Sequence, residues 1–174
     1  MEKYQYCESK NGEITTVDTD CWYLLDFRAE FFETFLNSKV GSFDFPGLYF
    51  LIDSDKNKIY VGESSNVKTR ANNHKKPKEL INDGFDRMIL LWDGRPNTIS
   101  HFGNETFRKT LEKECIKLFK HSSSYKCIND TENPKKMDNN IIIKSSVDRF
   151  SEELKFLLYR YRLIDTKPLD NAQI

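Results

Sequence analysis

The chain predicts a small α/β domain of the α+β type: a three-stranded antiparallel sheet flanked by helices, with helical elaborations at its N- and C-terminal ends. Two observations carry that prediction. Short runs at 48–52, 58–61 and 87–92, made mostly of strand-forming residues, are too short for helices and are bounded by turn residues, as strands are. Around them, residues 20–37, 104–120 and 147–161 repeat apolar side chains at helical spacing. At 174 residues, a domain of this class buries roughly 70% of the surface its unfolded chain exposes, so a substantial core is expected.

Trp22, Leu25, Ala29, Phe32 and Leu36 recur at helical spacing behind Asp20, a suitable N-cap, so one helix is expected before the sheet. Gly41 to Pro46 then breaks it. Pro46-Gly47 leads into Leu48-Tyr49-Phe50-Leu51-Ile52. Asp53-Ser54-Asp55-Lys56-Asn57 has turn composition, and Lys58-Ile59-Tyr60-Val61 returns as the second strand of a hairpin. Side chains on one face of such a pair meet, so Tyr49 and Tyr60 can share a pocket. Taken alone, two half-buried strand tyrosines are ordinary.

After Gly62-Glu63, a cap at Ser64, Ser65 or Asn66 starts a helix through Val67, Lys68, Arg70, Ala71 and His74 that ends before Pro77. Arg70 and His74 then stand one turn apart on one face. Arg87 to Trp92 is the third strand, stopped by Asp93-Gly94-Arg95-Pro96. The next helix starts near Asn104 or Thr106 and runs to about Lys120, turning Phe107, Leu111, Cys115, Leu118 and Phe119 to the core.

From His121 to Ser146 the chain is polar and reads as loop, broken by a short strand at Ile141-Ile142-Ile143. Val147, Phe150, Leu154, Leu157, Leu158 and Tyr161 form an amphipathic helix that packs on the N-terminal helix, completes the core, or meets a second copy or a partner protein. The organisation is a segment 1–44 with one helix, a central unit 45–133, and a segment 134–174 of loop and helix.

Basic and acidic residues balance at 27 each, so no global field selects an anionic partner. Locally, Lys56, Lys58, Lys68, Arg70, Lys75, Lys76 and Lys78 crowd the second strand and the following helix. A lysine cluster alone is ordinarily a solvated face; beside Arg70 it suits a phosphate backbone. Cys7, Cys21, Cys115 and Cys127 show neither zinc-type spacing nor a compact secreted framework and are expected to be reduced, structural thiols. With no apolar run of about 18 residues and no signal-peptide pattern, a cytoplasmic protein without a membrane span is expected.

The tyrosines stand in Gly47-Leu48-Tyr49 and Tyr60-Val61-Gly62, eleven residues apart, with Arg70 ten residues after Tyr60, His74 four further on, and then Glu112 and Asn129. This ordered set resembles the GIY-YIG nuclease family. There, two such strands, a helix with arginine, a later helix with glutamate and a terminal asparagine converge on one site. Leu48 and Val61 replace the isoleucines of the family triplets, exchanges between apolar residues that leave packing intact. Glu105, Glu112 and Glu114 compete for the carboxylate role; Glu112, four residues before Ile116, fits the family pattern.

The resemblance implies a metal-dependent endonuclease acting on DNA. Glu112 is its ligand for magnesium or manganese, since magnesium keeps most of its waters and needs few protein ligands. Arg70 clamps phosphate by paired hydrogen bonds. Tyr49 activates the attacking water and Tyr60 orients it, or the roles are reversed. His74 reaches phosphate or a water, although a lone histidine on a polar helix is usually just solvated. Asn129 braces the site or is a simple turn residue, and Lys68, Lys75, Lys76 and Lys78 hold the nucleic-acid backbone. The alternative is a protein of the same fold that binds nucleic acid without cutting it.

Overall fold

A computed structural model of the chain describes residues 4–9, 12–17, 22–28, 46–66, 82–93, 100–122 and 124–129, together with 146–148, 150–151, 154–155, 158–159 and 162–165. Seven strands, β1 (Tyr4–Ser9), β2 (Gly12–Val17), β3 (Trp22–Arg28), β4 (Gly47–Asp53), β5 (Lys58–Ser64), β6 (Arg87–Asp93) and β7 (Lys126–Cys127), form one sheet in the order β1-β2-β3-β6-β4-β5-β7. Helix α1 spans Glu105–Ser122 after a short 3-10 turn at His101–Gly103.

The predicted hairpin is present, with Asp53 paired to Lys58 across the turn. The turn residues act as their chemistry suggests: the Asp53 carboxylate accepts the Lys56 amide at 2.8 Å, and Asn57 takes a left-handed φ of 50°, a conformation asparagine tolerates. The third predicted strand is β6, which lies between β4 and β3.

Two expectations are corrected. The unit from β4 onward holds four strands instead of three and is mixed, because β7 joins β5 in parallel. A two-residue strand is too short to carry any alternation, so the predicted loop from His121 conceals it. The predicted helix over 20–37 is also not what forms at Trp22–Arg28. That stretch is β3, laddered to β2 on one side and along all seven residues to β6 on the other. Backbone pairing on both sides, with Trp22, Tyr23 and Phe27 suited to a strand, outweighs the helical spacing. Residues 29–37 of that prediction, the helix from Val67 to His74 and the strand at 141–143 lie outside the described residues.

Side chains alternate across the sheet. Leu48, Phe50 and Ile52 of β4, Ile59 and Val61 of β5, and Ile89 and Leu91 of β6 enter the main core with Phe107, Leu111, Cys115 and Phe119 of α1. Phe50 meets Phe119 edge-on at 6.0 Å, and Phe107 meets Phe150 at 5.4 Å, separations at which aromatic pairs attract beyond their burial. Val147, Phe150, Leu154 and Leu158 belong to this core, so among the uses predicted for the C-terminal amphipathic residues, completing the core is observed. That segment stops where Leu163 donates to the Leu158 carbonyl at 2.8 Å and Arg162 donates to Tyr159 at 2.9 Å. This is a Schellman cap, with Arg162 at a φ of 57° where glycine is usual.

The opposite face of the sheet carries Tyr49 and Leu51, Tyr60 and Gly62, and Met88, Leu90 and Trp92, all buried except the half-buried Tyr60. Among the described residues, no helix is long and apolar enough to cross a membrane.

Candidate active site

The register of the hairpin determines how the tyrosines meet. Tyr49 stands opposite Gly62, and Tyr60 stands opposite Leu51. The two phenols are therefore diagonal neighbours on one face, within reach of each other. Their ring centroids are 6.1 Å apart with planes tilted by 37°. Gly62 makes room for this packing: a Cβ at that position would collide with the Cζ and hydroxyl oxygen of Tyr49. The glycine of the second triplet is thus a seat for the tyrosine of the first, a close approach only a residue without a side chain permits.

Asn129 secures the outer edge of the same strand. The Lys126 amide donates to Asn57 O at 2.6 Å and the Ile128 amide to Ile59 O at 2.9 Å. The Asn129 side chain supplies the next rung: its Nδ2 donates to Val61 O at 2.6 Å, and its Oδ1 accepts from the Val61 amide at 2.8 Å. The Cys127 thiol also reaches that Oδ1, at 3.4 Å. A two-residue strand thereby extends its hold to Val61, the residue between Tyr60 and Gly62.

Helix α1 begins where predicted, with the Asn104 side chain accepting the Phe107 amide at 3.1 Å, an N-cap bond. Glu105 pairs with Lys109, and Glu114 pairs with Lys117 at 2.7 Å, both at the surface. Glu112 is half-buried, one helical turn beyond Arg108.

Arg108 is only 4% exposed. Its Nε donates to Glu63 Oε2 at 2.9 Å, and its Nη1 donates to the Phe102 carbonyl at 2.6 Å. This buried ion pair pins the first half of α1 to β5 one residue past Gly62. Sequence reasoning missed it. The available signal is that Arg108 lies three residues before Leu111 and seven before Cys115, on the border of the buried stripe.

Two thiols lie near this edge. Burial pushes the Cys115 thiol well up from its ordinary range, and the nearby Glu112 and Glu114 add to the effect. Burial likewise pushes the Cys127 thiol up.

The structure thus brings Tyr49, Tyr60 and Asn129 together along β5. Glu112 rides on the helix that covers the opposite face, linked to β5 through Arg108 and Glu63. Lys68, Arg70, His74, Lys75, Lys76 and Lys78 lie outside the described residues.

Residues 45–126 match the family model of the GIY-YIG catalytic domain. The segment holds β4 to β6, both tyrosines, Arg70, Arg108 and Glu112, and Asn129 follows just beyond it. This match supports a nuclease-type hydrolase in general. That match, over 82 of the 174 residues, supports a GIY-YIG catalytic domain in this segment of the chain. Comparisons with curated proteins and with solved structures found no match.

Proposed function

We propose that the chain is an endonuclease that hydrolyses DNA phosphodiester bonds with the help of a divalent metal ion. One observation carries this reading: the packed tyrosine pair, with Tyr49 seated on Gly62 and the strand between Tyr60 and Gly62 braced by Asn129, in a segment that matches a nuclease catalytic domain.

In this reading Tyr49 takes the proton of the attacking water while Tyr60 orients that water. An unperturbed phenol has a pKa of about 10, so the base role requires cationic surroundings, which this reading assigns to Arg70, the metal ion and the lysines Lys68, Lys75, Lys76 and Lys78. Arg70 clamps the phosphate and offsets charge as it develops, and His74 adds a hydrogen bond to phosphate or water. One observation favours exchanged tyrosine roles: Tyr49 is 1% exposed, whereas Tyr60 is half-buried and more open to water.

Among the described residues, no three His, Cys, Asp or Glu side chains cluster into a metal cage. In this reading the half-buried Glu112 carboxylate is the one protein ligand that would hold magnesium or manganese, with water and substrate phosphate completing the shell. Because α1 covers the face opposite the tyrosines, this site would have to reach across the sheet edge. When bound, the ion polarises the scissile phosphate and offsets charge on the leaving oxygen. A cytoplasmic setting belongs to the same proposal.

Incubating the purified chain with supercoiled plasmid in magnesium, in manganese and in a chelator tests the reading. Ion-dependent nicking or linearisation supports it. Binding without cleavage favours the non-cutting alternative.

A further inference from the structure

Lys58 of β5 and Lys126 of β7 are register partners on adjacent strands. The next pair, Ile59 and Cys127, points into the main core. By alternation both lysines therefore lie on the other face, in line with Tyr60 and Gly62. Lys126 is exposed and Lys58 half-buried. Among the described residues neither forms an ion pair, whereas the nearby Lys56 is held by Asp53 at 3.7 Å. Like charges directly opposed across a ladder repel, and strands in a sheet lie about 4.8 Å apart. The fold therefore holds two ammonium groups side by side at the edge of the tyrosine face, where the acidic neighbour opposite Lys58, the buried Asp53, is already shared with the Lys56 amide and ammonium.

An anion lying across both groups removes the repulsion. Tyr60 follows Lys58 by two residues, an advance of about 6.6 Å along the strand, which is commensurate with the step between successive phosphates of a nucleic-acid strand. We infer that Lys58 and Lys126 form a phosphate clamp that holds the nucleic-acid backbone next to the scissile position. The inference rests on the nuclease reading for its ligand, a phosphodiester backbone, and adds Lys126 to it, paired with the Lys58 of the basic cluster.

The clamp is tested on the full chain by fluorescence anisotropy with a labelled DNA duplex, in chelator, over a range of salt concentrations. Each backbone contact contributes about 0.9 to the slope of log affinity against log salt. The K58Q/K126Q variant is expected to flatten the slope by roughly 1.8 and to weaken binding on the order of tenfold or more at 0.1 M salt. Lys117→Gln, whose lysine is paired with Glu114, should leave the slope unchanged. Without DNA, Lys126→Gln, which removes the repulsion and leaves Lys58 opposite Asp53, should melt at or slightly above the wild-type temperature.

A wild-type slope in K58Q/K126Q, a lowered melting temperature in Lys126→Gln, or no DNA binding by the wild type overturns the clamp. Cleavage is read separately. A wild type that binds with a steep slope but leaves plasmid uncut in magnesium sinks the nuclease reading and keeps the clamp.

Discussion

The ring of Tyr49 rests on the backbone of Gly62, the residue directly opposite it across the β4–β5 ladder. The two family triplets are therefore one packing unit, and the second cannot gain a side chain without displacing the first. Gly62→Ala is expected to cost about 1–3 kcal/mol by overpacking and to lower the melting temperature by roughly 3–10 °C. It should also slow any cleavage, because Tyr49 moves. Thermal unfolding alongside a cleavage assay checks this, and an alanine variant as stable and active as the wild type contradicts it.

Asn129 replaces a rung of the sheet. Asn129→Ala leaves the Val61 amide and carbonyl without their side-chain partners, at a cost of about 1–3 kcal/mol. Hydrogen exchange should show the Val61 amide losing protection, while the β4 and β6 amides, laddered elsewhere, keep theirs. A Val61 amide as slow as in the wild type speaks against the brace.

Much of this geometry is legible in the sequence. Turn residues at 53–57 between two apolar runs fix the hairpin, and the eleven-residue spacing lets its tyrosines meet. Asn104 marks the start of α1. Other parts are not legible, for physical reasons. Trp22 to Arg28 satisfies a helical period as well as a strand composition, and only pairing with β2 and β6 decides between them. No element is predicted over residues 4–17, although Asn11-Gly12 beside the run Ile14-Thr15-Thr16-Val17 is a hairpin signal. The bonds from Asn129 to Val61 and from Arg108 to Glu63 span 68 and 45 residues, beyond any local pattern.

The Arg108–Glu63 pair should behave as a buried ion pair. Arg108→Met alone strands the Glu63 carboxylate and is expected to destabilise by about 3 kcal/mol. Replacing both residues with methionine should recover most of that loss, since an apolar pair of similar volume is often neutral. A double-mutant cycle by urea denaturation measures the coupling. Additive losses would show that the two side chains do not stabilise each other.

Burial raises the Cys115 thiol, so the folded protein holds this proton at a pH where the unfolded chain releases it. The unfolded state then binds fewer protons, and folding stability falls as pH rises above about 8.5. The Cys115→Ala variant carries a cavity cost at every pH, but its stability should fall less steeply between about pH 8.5 and 10. Denaturant titrations across that range test the sign, and parallel pH profiles for the two proteins contradict it.

Single-turnover cleavage of DNA at saturating magnesium, compared for wild type, Glu112→Gln, Tyr49→Phe and Tyr60→Phe, tests the central claim most directly. Glu112→Gln should abolish cleavage while DNA affinity stays close to wild type, because it removes a metal ligand and not a phosphate contact. Tyr49→Phe should slow the chemical step by roughly 10² to 10⁴, and Tyr60→Phe should cost less; the reverse order assigns the base role to Tyr60. Wild-type rates in Glu112→Gln and in both tyrosine variants would contradict the account.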